Sequence, residues 1–374
     1  MPFASRFVCR WFVPVVLAAA LAGCSTSSRI AGPGAPGGGQ QAFIITTDFS
    51  TGGLSAIDVD TRAVSANVAA VHSDAMLRLY GGLIYVVNRF GQDNVQVIDP
   101  ARGYTTVRQF STGNGTNPQD IAFASASKAY ISRYASTDLL IVDPSTGTNI
   151  GTISLAAFAD ADGLPEMARM AIVGPYLFIA CQRLTNFVAS NPSMVVVVDI
   201  RGDRVVDTNP LVPGVQAITL AGRNPFTDFA WDAIDRELLI GCAGAFGALD
   251  GGIERIDPVQ LKSLGFAITE SALGGDINGI GWNGPAHSYA IVSDAAFNAS
   301  IVAWSANAGD TLRTVYRPGG YNLADCQVLT GRGELWVARN QLVAPGVLIF
   351  RAGPDTLLAG PLNTGLPPNQ IAFQ

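Results

Sequence analysis

The sequence predicts an all-β protein, a seven-bladed β-propeller made of four-stranded antiparallel blades. Short runs of Val, Ile, Leu and aromatic residues, bounded by Gly, Asn, Asp and Pro, recur along the chain, which is typical of strands joined by tight turns. One such run returns seven times, starting near residues 43, 84, 129, 177, 238, 289 and 335. A four-stranded blade takes about 40–50 residues, so each return indicates one blade.

Within each blade, the recurring run predicts the second strand, as in Ile84–Val87 and Leu177–Ala180. The third strand often ends in Ile-Asp or Val-Asp. We interpret that aspartate as a turn residue that caps backbone N–H groups, rather than as one of a set of catalytic or metal-binding carboxylates. The turn positions are Asp58, Asp99, Asp143, Asp199 and Asp257.

The innermost strand is predicted by a large-small-large triplet that follows a loop marked by Pro or Gly, as in Ile121-Ala122-Phe123. The large residues suit the packing between blades, and the small residue suits the crowded centre of the ring. The chain ends in such a triplet, Ile371-Ala372-Phe373, whereas the first blade has only outer strands. We therefore expect the C-terminal strand to complete the first blade, in a three-plus-one closure that hides two open sheet edges.

Three segments make up the chain. Residues 1–23 have a basic start, an apolar run and the ending Leu21-Ala22-Gly23 before Cys24; this resembles the signal peptide and lipobox of bacterial lipoproteins, with Cys24 as the lipidated residue. A plain cleavable signal is the alternative.

Residues 24–41 are a Gly/Pro/Ser tether, and 42–374 form the propeller. In that lipoprotein class, Ser25 implies export to the outer membrane, so we expect a lipid-anchored protein of the cell envelope.

Composition excludes several kinds of partner and site. The formal charge is −6 and becomes −8 once Arg6 and Arg10 leave with the signal peptide, and an acidic protein is a poor match for the phosphates of nucleic acid. The two histidines of the chain exclude a His-rich metal centre. Three cysteines follow the tether, Cys181, Cys242 and Cys326; we expect buried free thiols, with one disulfide as the alternative.

Two blades carry a family resemblance. Tyr85-Val86-Val87-Asn88, Val95–Pro100 and Asn117–Ala122 resemble the YVTN-type seven-bladed propeller repeats of bacterial exported proteins. The resemblance implies a surface or periplasmic binding module. Some members of the family bind small ligands, including cobalamin, beside an outer-membrane transporter, and others resemble lactonases.

Candidate binding residues lie where two sets of strand ends should meet on one face of the ring. Just before the inner triplets stand Asp120, Arg169, Asp228, Asp325 and Gln370, with Met76 and Gly279 completing the ring. At the ends of second strands stand Asn88, Arg89, Arg133, Tyr134, Gln182, Arg183, Arg339 and Asn340, with Asp48 and Asp294. A polar ligand site and ordinary surface ion pairing are both compatible with this pattern.

Arg78 departs from the repeat most sharply, because it takes the small-residue position of its triplet. We expect it to fill the central channel against Asp120 or Asp325, or to contact a ligand there. Alternating carboxylates in another loop, Asp160, Asp162 and Glu166, surround a glycine and could hold calcium, although they do not complete an EF-hand and a solvated loop explains them as well.

The function predicted from these observations is non-catalytic binding. The loop face would bind a small ligand or a partner such as an outer-membrane protein, the lipid anchor would hold the chain at the membrane, and no cofactor other than possible calcium is expected. The alternative is a calcium-dependent, lactonase-like hydrolase that uses carboxylates at the mouth of the channel.

Overall fold

The computed structural model describes residues 39–374, which fold into seven antiparallel sheets arranged as blades around a ring. Blade 1 contains β1 (Gln41–Thr47), β2 (Gly52–Asp58) and β3 (Val64–Val71); blade 2 contains β4 (Ala75–Tyr80), β5 (Leu83–Asn88), β6 (Asn94–Asp99) and β7 (Thr105–Ser111). Blade 3 contains β8 (Pro118–Ser125), β9 (Lys128–Arg133), β10 (Asp138–Asp143) and β11 (Thr148–Ser154). Blade 4 contains β12 (Met167–Val173), β13 (Tyr176–Cys181), β14 (Met194–Asp199), β15 (Arg204–Val205) and β16 (Ile218–Thr219).

Blade 5 contains β17 (Ala230–Asp232), β18 (Glu237–Cys242), β19 (Gly252–Asp257) and β20 (Lys262–Thr269); blade 6 contains β21 (Asp276–Gly281), β22 (Ser288–Ser293), β23 (Ala299–Ser305) and β24 (Asp310–Tyr316). Blade 7 contains β25 (Asp325–Leu329), β26 (Glu334–Arg339), β27 (Gly346–Arg351) and β28 (Thr356–Leu362), and β29 (Pro368–Phe373) ends the chain. Among the described residues, α1 (Glu270–Leu273) is the one α-helix, and 3-10 turns occur at Pro100–Arg102, Ala156–Phe158 and Thr330–Arg332. No helix in residues 39–374 is long and apolar enough to cross a membrane.

The three-plus-one closure is confirmed. β29 pairs with β1 in an antiparallel register, with Phe43 opposite Ala372 and Ile44 opposite Ile371. The outer edge of blade 1 is β3, so the sheet order is β29-β1-β2-β3. Because β29 supplies the strand that β1 would otherwise lack, the backbone donors and acceptors of β1 are paired on both sides.

Blade 4 has an interrupted outer strand. β15 and β16 both pair with β14, and residues 207–217 leave the sheet between them. Pro210 and Pro213 lie in this insertion, and a proline cannot donate a hydrogen bond to a strand ladder. The insertion explains part of the long spacing between the fourth and fifth repeats.

The core lies between the blades. Alternate residues of a strand point to opposite faces of its sheet, so Ile121 and Phe123 pack toward blade 2 while Ala122 packs toward blade 4. The large-small-large triplet therefore places its bulky side chains in one inter-blade layer and its small one in the next. Cys181, Cys242 and Cys326 are buried free thiols as expected, and the disulfide alternative is wrong.

The aspartates that end the third strands are turn residues, as predicted. Each carboxylate accepts a hydrogen bond from the backbone N–H two residues later, as between Asp99 Oδ1 and Ala101 N at 2.9 Å. The same bond is made by Asp58, Asp143, Asp199 and Asp257.

The ring has two distinct faces. On the loop face lie the loops between second and third strands, together with the loops that lead into each inner strand. The chain enters and leaves on the opposite face, where the backbone N–H of Gln374 donates to the carbonyl of Gln41 at 2.9 Å. The N-terminal segment therefore joins the ring on the side away from the loop face.

Candidate functional site

A buried arginine links the inner parts of three blades. Arg78 sits in the middle of β4 and is 1% exposed. It donates from Nε and Nη2 to the two carboxylate oxygens of Asp120, both at 2.9 Å. It also donates from Nη1 and Nη2 to Asp228, at 3.1 and 3.0 Å. One guanidinium thus links the inner strands of blades 2 and 3 to the start of blade 5.

The two acids and a second arginine form a self-neutralising group, here called the channel cluster: Arg78, Asp120, Arg169 and Asp228. Arg169 Nε lies 3.2 Å from Asp228 Oδ1. Asp120 also accepts from the backbone N–H groups of Ile121 and Met170. Burial alone would lower the pKa of Arg78, but Asp120 and Asp228 more than offset this and raise it, so Arg78 stays charged.

The expectation for Arg78 is confirmed for the first of its two alternative partners, Asp120. Asp325 instead accepts from Gln327 Nε2 at 2.7 Å and from the backbone N–H of Ile371 at 2.8 Å, and so links blade 7 to the closing strand. The acid that takes the second place beside Arg78 is Asp228.

Above the channel cluster, the loop face opens into a cavity of about 590 Å³. This is within the range of small-molecule sites in proteins. Eight of the predicted binding residues line it, together with both residues expected to complete the ring: Asp48, Arg89, Arg169, Gln182, Asp228, Asp325, Asn340, Gln370, Met76 and Gly279. Gln119, Asn278 and Tyr321 also line it, and their place there was not apparent from the sequence.

The guanidinium groups of Arg89 and Arg169 are neighbours in the wall of this cavity. Arg89 donates to Asp74 Oδ1 from Nε at 2.8 Å and to Gln119 Oε1 at 3.2 Å, while Arg169 Nη1 donates to the backbone carbonyl of Gln119 at 2.9 Å. Burial lowers the pKa of Arg89, and the neighbouring charge of Arg169 lowers it further. Both side chains remain about one-fifth exposed. Each guanidinium is ion-paired, Arg89 with Asp74 and Arg169 with Asp228, and each keeps an exposed part through which N–H groups can donate to an acidic group of a ligand.

The other arginines at strand ends bind backbone carbonyls of their own neighbourhood. Arg133 donates to Asp138 O and Thr112 O, Arg183 donates to Pro192 O at 2.8 Å, and Arg339 donates to Ala344 O. They close the loops in which they lie, outside the residues that line the cavity.

Asn88 and Tyr134 also lie outside the cavity lining. Asn88 is buried; it accepts from the backbone N–H of His72 and donates to Asn94. Burial, followed by the charges of Glu166, Asp162 and Asp160, raises the pKa of Tyr134 to about 12. Tyr134 is therefore a neighbour of the acidic loop rather than of the cavity.

The acidic loop gathers three carboxylates, here called the acid cluster. Asp160, Asp162 and Glu166 each place an oxygen within 4.8 Å of the others. Burial, then Asp162 and Asp160, raise the pKa of Glu166 to about 8. Oxygen donors in this number fit part of a calcium shell, which takes six to eight. The acid cluster lies outside the residues that line the cavity.

Comparison with known proteins identifies the fold. No family model matches the chain, and no curated protein matches it. A putative 6-phosphogluconolactonase from Bacteroides fragilis is similar in structure, with a TM-score of 0.59 at 13% identity over 91% of this chain and 99% of that one. Apo AztD from Citrobacter koseri gives 0.55 at 11% identity, over 90% and 98% of the two chains. A functionally unknown protein from Desulfotomaculum acetoxidans gives 0.59 at 12% identity, over 90% and 98%.

This likeness shows the propeller fold. The similar structures differ in function among themselves, and a fold alone does not define the chemistry of a site.

Proposed function

We propose that this protein is a lipid-anchored, non-catalytic binding propeller of the bacterial cell envelope, and that its loop-face cavity holds a small ligand with an anionic group. The observation that carries the proposal is the pair Arg89 and Arg169 in the wall of the 590 Å³ cavity. Guanidinium groups bind carboxylate and phosphate groups through paired N–H donors. The amides of Asn278 and Asn340 and the Tyr321 ring line the same cavity and supply further polar and apolar contacts.

The state of the carboxylates supports binding rather than catalysis. A general base or nucleophile must reach its substrate, but Asp120 is 0% exposed and both of its oxygens accept from Arg78. Asp228 is shared between Arg78 and Arg169. A calcium-dependent hydrolase would need carboxylates that converge on one ion at the cavity, whereas the acid cluster lies elsewhere on the loop face.

The lipid anchor and the location in the envelope rest on sequence alone. Cys24 and nearly all of the tether lie outside the described residues. We propose that Cys24 carries the lipid, that the protein is a YVTN-type member of the exported propellers, and that it resides at the outer membrane. The entry of the chain on the face opposite the cavity supports an orientation in which the loop face points away from the anchored end.

Native mass spectrometry of protein purified from its own host tests the proposal. We expect a bound small molecule on the wild-type protein, lost in Arg89→Gln and retained in the control Arg332→Gln. Arg332 pairs with Asp60 on the opposite face, so the control removes one cation without touching the cavity. Wild-type protein without a bound molecule, or Arg89→Gln protein that keeps it, would contradict the proposal. Turnover of a lactone that is lost in Asp228→Asn would instead support the hydrolase.

A further inference from the structure

Phenylalanine occupies the tips of most loops that join second and third strands on the loop face. Five of these seven loops expose a phenylalanine and a sixth exposes a leucine, with exposed fractions between 55% and 84%. We call these six side chains the apolar crown: Phe49, Phe90, Phe187, Phe246, Phe297 and Leu342. The third blade differs, since its loop reads Tyr134-Ala135-Ser136-Thr137.

The crown is not a by-product of folding. Phe49, Phe187 and Phe297 have φ values of 67°, 64° and 59°, in the left-handed region that disfavours a bulky residue and favours Gly or Asn. Their rings gain nothing in return from burial. Asp48 orders the first of these loops, because its Oδ1 accepts from the backbone N–H groups of Ser50 and Thr51. The chain thus holds aromatic rings in water at positions where smaller residues would fold more easily.

The exposed apolar residues are also distributed unequally. In the turns of the opposite face, the large exposed apolar residues among those described are Ile234 and Val259. Others lie around the outside of the ring, on outermost strands and in the blade 4 insertion: Ile150, Leu211, Val212, Val215, Leu312, Leu357 and Leu358. The six exposed phenylalanines of the loop face, the five of the crown and Phe226, together expose roughly 800 Å², taking about 200 Å² for a fully exposed ring. One partner in a standard protein–protein interface contributes about 800 Å².

The crown is continuous with the cavity. Phe49 and Leu342 line the cavity, as does Phe226, and the Phe226 ring lies 6.1 Å from that of Phe246. A partner seated on the crown would therefore cover the mouth of the cavity as well.

The charge of the loop face determines which kind of partner can bind to the crown. The loops that bear the crown carry Asp48, Asp250 and Asp294 at the surface, whereas Asp93 is buried. Against them stand Arg89 and Arg183, and Arg317 of a neighbouring loop pairs with Asp294. The loops into the inner strands add Asp74 and Asp162 to the surface acids. The two lysines of the chain, Lys128 and Lys262, both lie at the opposite face. An anionic lipid surface attracts lysine and arginine, so it is repelled by this face. A second copy of the same face would bring acidic rims together.

We infer that the apolar crown is the docking surface for a partner protein whose contact segment combines aromatic or aliphatic side chains with lysine or arginine. The apolar residues of that segment bury the crown, and its cations face the acidic rim. This surface does not require the cavity to hold a ligand, so it stands apart from the function proposed above.

Selection of peptides from a random 12-residue display library on the mature protein tests the inference. Peptides that bind the wild type should be rich in Lys or Arg together with Trp, Phe or Leu. Their affinity, measured by fluorescence anisotropy, should fall at least tenfold for the triple variant Phe49→Asn, Phe187→Asn, Phe297→Asn, and should weaken as salt is raised. Asparagine tolerates positive φ, so this variant should fold at least as well as the wild type.

The matched control is Ile234→Asn with Val259→Asn, which removes the same kind of surface from the opposite face and should leave the affinity unchanged. Arg89→Gln should not weaken peptide binding, because it removes a cation from the face that attracts the peptide's Lys or Arg; loss of the bound ligand with peptide binding kept or strengthened separates this result from failure of the ligand site. Equal affinity for the wild type and the triple variant, or selection of acidic peptides, would overturn the inference. So would crown-dependent binding to phosphatidylglycerol vesicles, or crown-dependent dimers in sedimentation velocity, without peptide binding.

Discussion

Replacing Arg78 with methionine removes the central cation of the channel cluster while keeping a side chain of similar length. Removal of one partner from a buried ion pair typically costs about 3–5 kcal/mol, because the other charge stays buried. The lower end applies here: Asp228 keeps Arg169 at 3.2 Å, and Asp120 keeps two backbone N–H donors. We expect a loss of about 3 kcal/mol at pH 7, roughly a hundredfold in the folding equilibrium.

Urea denaturation measures this loss. For a large domain, the free energy of unfolding falls by about 3 kcal/mol per molar urea, so the urea concentration at the midpoint of unfolding should fall by about 1 M. In the variant, Asp120 stays buried without the Arg78 cation. The pKa of Asp120 in the folded protein therefore lies above its pKa in the unfolded chain. The deficit should therefore be small below about pH 4 and should grow as the pH rises.

Two further variants make the reasoning refutable. Arg78→Met combined with Asp120→Asn removes both buried charges and should recover most of the lost stability. Arg102→Met breaks a solvent-exposed pair with Asp99 and should change stability little. A loss below about 1 kcal/mol in Arg78→Met, or a double variant no more stable than the single one, would refute the assignment of Arg78 as the electrostatic centre of the ring.

Three other outcomes are expected. Burial, with Asp162 and Asp160, raises the pKa of Glu166 to about 8, so urea titrations should show stability falling as the pH rises from about 4.5 to 8, with a smaller slope in Glu166→Gln. Burial raises the pKa of the Cys181 thiol to about 12; Cys181, Cys242 and Cys326 should resist alkylation until urea unfolds the ring, as peptide mapping would show. Deletion of residues 368–374 should yield aggregated protein on gel filtration because it exposes an edge of β1; a monodisperse, folded product would contradict this.

Much of the scaffold could be predicted because its signals are local. The run of strand residues, the aspartate two positions before a turn N–H, and the alternation of Ile121, Ala122 and Phe123 each depend on a few neighbouring residues. The closing strand was predictable for a similar reason, since the final triplet has no outer strands after it. Arg78 was recognisable as a departure from the repeat, although its second partner was not.

The site depends on distances between residues of different blades. A pattern of neighbouring residues in the sequence gives no information about these distances. Asp228 follows Arg78 by 150 residues, and the repeat pattern offered Asp120 and Asp325 as partners of Arg78 but not Asp228. Arg133 and Arg339 looked equivalent to Arg89 in the repeat, yet they bind carbonyls of their own loops, while Arg89 reaches the cavity. A single exposed phenylalanine in a loop is likewise ordinary; five in corresponding loops gain meaning once those loops share a face.

The sequence by itself determined the strands, the number of blades and the closure, because burial and turn geometry act over a few residues and repeat with each blade. Only the tertiary structure decided the pairing of Arg78 with Asp120 and Asp228, the convergence of Arg89 and Arg169 on one cavity, and the gathering of the apolar crown on one face. Those features arise where seven blades meet, and their energies depend on burial and on distances of a few ångströms between residues far apart in the chain.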